Sequence, residues 1–110
     1  MTLEQIAQLQ LDAYNAQDLD AYCAFFTEDV VVADLNGEVT SYGVDAYRAR
    51  YAKAFADFPQ NKAELLGRMV LGQRVIDHER VVRAPGGATF EVAAIYSFAD
   101  GRIARVDFVK

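Results

Sequence analysis

Apolar positions along this chain recur first at helical spacing, then run together as strand, return to helical spacing, and end in long strand-like segments. At the start, Ile6, Leu9 and Ala13, with Ala7, Gln10 and Tyr14 beside them, share one helical face. Thr2-Leu3-Glu4-Gln5 has the form of a capping box, in which Thr2 and Gln5 satisfy each other's free amides, so a helix is predicted from Leu3. Asn15-Ala16-Gln17 breaks the pattern. Asp18 is placed to cap a short second helix, Leu19 to Phe26, with Leu19, Tyr22, Cys23 and Phe26 as its apolar stripe. Thr27-Glu28-Asp29 leads into Val30-Val31-Val32-Ala33-Asp34, a β-branched run that predicts a strand, and Asn36-Gly37 is a strong hairpin signal. Glu38 to Ser41 then reads as a short return strand. After Gly43, the residues Val44, Tyr47, Tyr51, Phe55 and Phe58 are spaced 3, 4, 4 and 3, which keeps them on one helical face, and Pro59 ends that helix.

From Asn61 onward the period shortens. Four β segments are predicted, Ala63–Leu71, Arg74–Arg83, Thr89–Phe98 and Ile103–Val109, joined at Gly72-Gln73, Ala84-Pro85-Gly86-Gly87 and Asp100-Gly101. Connections this short make neighbouring strands antiparallel. In/out alternation is incomplete: Leu65-Leu66, Met69-Val70-Leu71, Val81-Val82 and Val92-Ala93-Ala94-Ile95-Tyr96 are continuous apolar runs, as in strands covered on both faces. Three helices can cover one face of such a sheet. The other face is therefore expected to meet a second copy of the chain, as a homodimer.

Composition adds limits to this picture. A chain of 110 residues is expected to form one domain, 1–110, and its 53% apolar content leaves hydrophobic surface for a pocket, a partner subunit, or both. No run of about 18 apolar residues suggests a membrane span, and Met-Thr-Leu-Glu-Gln lacks the basic start of a signal peptide, so a cytoplasmic location is expected. A net charge of −5 argues against nucleic acid as a partner, since that affinity comes from clustered Lys and Arg. Arg68, Arg74, Arg80, Arg83, Arg102 and Arg105 recur, but with acids between several of them they read as a mixed solvated surface. The lone cysteine, Cys23, allows no internal disulfide and reads as a small buried hydrophobe.

Candidate chemistry centres on Asp34. If the valine strand alternates, Val30, Val32 and Asp34 share a face, so the carboxylate lies among apolar side chains, where a general base gains strength. The competing reading is that Asp34 ends the strand and starts the turn with Asn36 and Gly37. Asp77-His78-Glu79 resembles a metal-ligand cluster on paper, but in a strand Asp77 and Glu79 face one side and His78 the other. No metal or organic cofactor is expected, and no Gly-rich phosphate loop, nucleophile elbow or cysteine pair is present. His78 reads either as a pocket acid/base or as a strand histidine bonded to a neighbour.

The order helix, helix, strand, short strand, helix, then four meandering strands resembles the nuclear transport factor 2-like superfamily, which includes ketosteroid isomerases and SnoaL-like polyketide cyclases. The carriers are Asn15-Ala16-Gln17-Asp18-Leu19-Asp20, Phe26-Thr27-Glu28-Asp29-Val30 running to Asp34, Gly43 to Tyr51, and Ile95-Tyr96-Ser97-Phe98 with Asp100-Gly101-Arg102-Ile103. The resemblance implies an α+β, cystatin-like fold: a cone-shaped α+β barrel in which a strongly bent, mostly antiparallel sheet wraps three N-terminal helices. It puts Asp34 where ketosteroid isomerases hold their proton-moving aspartate, and Tyr51 where they hold a supporting tyrosine. Two positions depart. Gln10 stands at the first-helix tyrosine of those enzymes' oxyanion hole, and Tyr96 stands at their protonated aspartic acid.

Together these imply a cofactor-independent enzyme that takes a proton next to a carbonyl of a small apolar molecule, steroid- or polyketide-like, with Asp34 as general base. Tyr96, with Tyr14 and Gln10 or His78, would stabilise the enolate or orient the substrate, and Phe26, Tyr47, Tyr51, Phe55, Met69 and Phe108 are candidate walls. Isomerisation is the first reaction class, with SnoaL-like cyclisation or dehydration next. The alternative is a non-catalytic ligand-binding or dimerisation module. A cavity of about 300 Å³ or more beside Asp34 would favour a ligand site.

Overall fold

A computed structural model describes residues 1–110. Helix α1, Leu3–Ala16, starts on the expected capping box: Thr2 accepts from the Gln5 amide, and the Gln5 side chain accepts from the Thr2 amide. It ends at Gln17, whose left-handed backbone (φ 55°) turns the chain toward Asp18, the cap of α2, Leu19–Cys23. This second helix is shorter than its apolar stripe suggests. Phe26 does not continue it but opens strand β1, Phe26–Asp34, because the Phe25 carbonyl accepts from the Ile103 amide and Phe26 pairs with Ile103. Non-local sheet pairing thus outcompetes one further helical turn.

Strand β2, Val39–Tyr42, folds back on β1, and Gly43 (φ 86°) leads into α3, Val44–Asp57. Four strands follow: β3 Lys62–Leu71, β4 Arg74–Val82, β5 Thr89–Ala99 and β6 Arg102–Val109. At the β5–β6 connection both Asp100 and Gly101 have positive φ, the backbone of a tight two-residue hairpin. The six strands form one mixed sheet in the order β2-β1-β6-β5-β4-β3, parallel only where β1 meets β6. The sheet is bent but not closed, so β2 and β3 are edges. All three helices lie on its inner face: α1 packs on β3 and β4, and α3 on β1 and β2. This is the cone-shaped α+β arrangement.

The inner face is built by strict alternation. Val75, Asp77, Glu79 and Val81 of β4 are buried, as are Val92, Ala94, Tyr96 and Phe98 of β5, while the residues between them are more exposed. With Val30 and Val32 of β1 and Ile103 and Val106 of β6, they form the floor on which the helices rest. Cys23 is buried there too. On the outer face, Leu66, Met69 and Leu71 of β3 and Val109 of β6 are exposed. No helix is long and apolar enough to cross a membrane.

Candidate functional site

Between α1, α3 and the far end of the sheet lies a cavity of about 170 Å³. Gln10, Leu11 and Tyr14 enter it from α1, Tyr22 from α2, and Arg50, Tyr51 and Ala54 from α3. The sheet supplies Ala63, Glu79, Val81, Arg83, Phe90, Val92, Tyr96, Phe108 and Lys110. Five residues singled out in the sequence therefore meet in one place: Gln10, Tyr14, Tyr51, Tyr96 and Phe108.

The other expected wall residues sit elsewhere. Phe26, Tyr47 and Phe55 belong to an aromatic cluster behind the cavity, in which Phe26 and Tyr47 have ring centres 4.8 Å apart and the Tyr22 and Tyr47 hydroxyls are 2.8 Å apart. Tyr47 is fully enclosed because α3 presses it against α2 and β1. Met69 lies exposed on β3, outside the cavity, because its register opposite Ile76 turns it to the outer face. His78 also stands outside. Alternation sends it to the outer face, where its Nε2 is 2.6 Å from Glu91, while Asp77 and Glu79 point inward.

Asp34 lies at the rim. The β1–β6 register pairs it with Phe108, but it is the last residue of the strand, its side chain is 50% exposed, and its nearest cation is Lys110, with Nζ 3.7 Å away. Its carbonyl accepts from the Gly37 amide, so it also starts the turn. Beside it is an open depression of about 350 Å³ whose walls include Phe108 and Lys110, residues that also line the cavity. The space next to Asp34 is thus open to solvent, and the more sheltered space lies across Phe108.

Two carboxylates do enter the protein's interior, both from β4. Asp77 is fully buried and fully answered: Arg68 Nε and Nη2 donate to its two oxygens at 2.7 and 2.9 Å, and Arg68 Nη1 donates to Gln8 Oε1 at 3.0 Å. A register shift between Leu65 and Gly67 makes this possible. Ala63 and Leu65 oppose Val81 and Glu79 on the inner face; without the extra residue, Gly67 rather than Arg68 would stand opposite Asp77.

Glu79 is answered by nothing. It is 6% exposed, faces the cavity, and makes no hydrogen bond or ion pair. Burial, and then the Asp77 charge, push its carboxyl up to about 7, against a smaller lowering by Arg68. Tyr96 stands on the next strand. Its phenol is held well above its ordinary range by burial and then by the Glu79 and Asp77 charges, so it stays protonated at neutral pH. Gln10 Nε2 donates to its oxygen at 3.2 Å, which leaves the phenolic proton free to donate into the cavity. A third group closes the far wall: Tyr14, pushed up to about 12 mainly by burial, accepts from Asn61 Nδ2 at 2.6 Å, and Asn61 accepts from Arg83 at 3.0 Å.

Glu79, Arg50 and Arg83 line the cavity and Asn61 braces Arg83 and Tyr14, though sequence reasoning did not single them out for it. The signal for Glu79 was present in the alternation of residues 77–79, but which face turns inward depends on where the helices pack. Arg68 and Arg83, read as part of a solvated surface, are instead drawn inward by Asp77 and Asn61.

The fold is that of a small α+β protein with a cavity between its helices and a bent sheet. A family model described as the SnoaL-like domain matches residues 7–106, and the chain belongs to that family. Among solved structures, an uncharacterised cystatin-fold protein from Novosphingobium aromaticivorans is 36% identical, with coverage of 100% of this chain and 99% of the other and a TM-score of 0.92. A candidate polyketide cyclase from Sinorhizobium meliloti is 29% identical (96% and 94% covered, TM-score 0.81). A second candidate polyketide cyclase, from Pseudomonas putida, shares the fold at 23% identity (100% and 92% covered, TM-score 0.75). No protein of curated function matches the chain.

Proposed function

We propose that this protein is a cofactor-independent acid–base enzyme acting on a small polyketide-like carbonyl compound, with Glu79 as the group that takes and returns the proton. The observation that carries the reading is an unpartnered carboxylate, 6% exposed, aimed into a cavity that also holds a protonated tyrosine. A carboxyl group near 7 is about half ionised at neutral pH, which suits a general base that must also give its proton back. In the first step Glu79 removes a proton from the carbon next to the carbonyl. The electron pair moves onto the carbonyl oxygen, where the Tyr96 hydroxyl, backed by Gln10, donates a hydrogen bond to the enolate. Return of the proton to another carbon would complete an isomerisation. Attack of the enolate on a second carbonyl would complete a cyclisation, the chemistry named for the Sinorhizobium meliloti relative. A volume of about 170 Å³ is below the roughly 300 Å³ lower end of drug-sized sites, which favours a substrate smaller than a steroid.

A second reading keeps Asp34 as the base, supported by its pairing with Phe108 at the cavity edge and by the resemblance to ketosteroid isomerases. The experiment that separates the two is deuterium exchange at the carbon next to the carbonyl of phenylacetone in D2O, followed by NMR. Under the first reading the protein accelerates exchange, Glu79→Gln lowers the rate about 10²- to 10⁴-fold, and Asp34→Asn leaves it near the parent value. Parent-like exchange in Glu79→Gln together with a collapse in Asp34→Asn would return the role to Asp34. No acceleration for any small ketone would favour a ligand-binding module. The exposed Leu66, Met69 and Leu71 support a homodimer through the outer sheet face.

A further inference from the structure

We propose that the cavity takes a small apolar carboxylic acid, with its hydrocarbon body inside and its carboxylate held at the mouth by Arg83 and Arg50. This names the ligand class of the site described above and rests on that reading of the cavity. The chain carries 16 acidic against 11 basic residues, and four of its eight arginines find a carboxylate: Arg48 with Asp20, Arg68 with Asp77, Arg80 with Glu64 and Arg105 with Asp107. Of the four that find none, Arg74 and Arg102 lie away from the cavity, while Arg83 and Arg50 line it. The remaining cation there, Lys110, shares its charge with Asp34 at 3.7 Å.

Arg83 is held in place without being neutralised. Its Nη1 donates to Asn61 Oδ1 at 3.0 Å, and Asn61, 2% exposed, is fixed in turn by Tyr14. Its guanidinium lies over two rings, 4.6 Å from the centre of Phe58 and 5.1 Å from that of Phe90. These contacts orient the planar fork but supply no negative charge, and the rest of its N–H groups stay unengaged. Arg50 makes a 3.4 Å contact to Thr40 and lies 5.8 Å from the centre of the Tyr51 ring. A guanidinium held this way matches a carboxylate, which accepts two parallel N–H bonds. The only carboxylate lining the cavity is Glu79, which has no cation partner of its own, so Arg83 and Arg50 are not answered from within. Around them the lining is apolar, with Leu11, Val81, Val92 and Phe108 available to a hydrocarbon body.

The test is calorimetric titration of the intact protein with 4-ethylbenzoate and with 4-ethylbenzamide, which has the same shape and no charge. The acid should bind about tenfold or more tightly than the amide. Arg83→Gln should weaken the acid roughly ten- to hundredfold and leave the amide unchanged. Arg50→Gln, a change on an exposed side chain that carries little folding risk, should weaken the acid less but in the same selective way. Equal binding of acid and amide, equal weakening of both by the arginine variants, or no binding of the acid at millimolar concentration would each overturn the proposal. Its failure is distinct from that of the acid–base reading. If the acid binds selectively while Glu79→Gln keeps parent-like exchange, only the catalytic assignment falls; if exchange depends on Glu79 but the amide binds as well as the acid, only this one does.

Discussion

Replacing Glu79 by glutamine isolates the cost of one buried carboxylate. The side chain is 6% exposed and unpartnered, and its carboxyl stands at about 7 in the folded protein against an ordinary value of 4.5. Between those two values the folded chain holds more protons than the unfolded chain, so stability falls as pH rises through the window and stays low above it. At about 1.4 kcal/mol per pH unit the full window is worth roughly 3 kcal/mol, of which roughly 2 to 3 kcal/mol falls between pH 5 and pH 8. Glutamine has the same shape and no charge to bury. The variant should match the parent closely at pH 5 and exceed it at pH 8 by that amount, or by roughly 10 °C in thermal midpoint for a chain of this size. Urea unfolding of both proteins at half-unit steps from pH 5 to pH 8 measures the gap directly, and subtraction cancels every other titrating group. A gap that does not widen with pH, or a glutamine variant less stable at pH 8, would show that Glu79 is not a desolvated carboxylate and would remove the ground for its role as a base. The expected outcome also sets stability against activity, since the same substitution should slow proton exchange.

Arg68→Ala should cost about 3 to 5 kcal/mol in chemical denaturation, because it leaves Asp77 charged, buried and unpaired, whereas replacing both partners by apolar residues should restore most of that loss. Tyr51→Phe should change stability by no more than about 1 kcal/mol while weakening ligand binding by titration; a loss of stability with no effect on the ligand would make Tyr51 plain core. Sedimentation at micromolar concentration should give a dimer that buries more than about 1,000 Å² through the outer sheet face, and substitution of Met69 and Leu71 by lysine should yield monomer.

What the sequence determined by itself is what depends on neighbours a few residues apart. The capping box at Thr2, the Asp18 cap, the helical stripe from Val44 to Phe55 and the turns at Asn36-Gly37 and Asp100-Gly101 are short-range, and all are where local spacing puts them. Alternation separated His78 from Asp77 and Glu79. The end of α2 was the local misreading, since Phe26 is claimed by Ile103, far along the chain.

Which carboxylate faces the cavity depends on contacts between residues far apart in the chain. Asp34 shares its strand with buried valines, but β1 ends there and the sheet offers nothing beyond it, so the side chain meets water and Lys110. Glu79 looks like one charge in a polar triplet, yet it falls beneath α1 and α3 and loses its solvent. The extra residue at Leu66 has no signature in the apolar pattern, and it puts Arg68 opposite Asp77, which takes up the guanidinium. Spacing along a chain specifies which side chains share a face. Which face is covered, and by what, depends on strand register and helix docking, which bring together residues as distant as Gln10 and Tyr96.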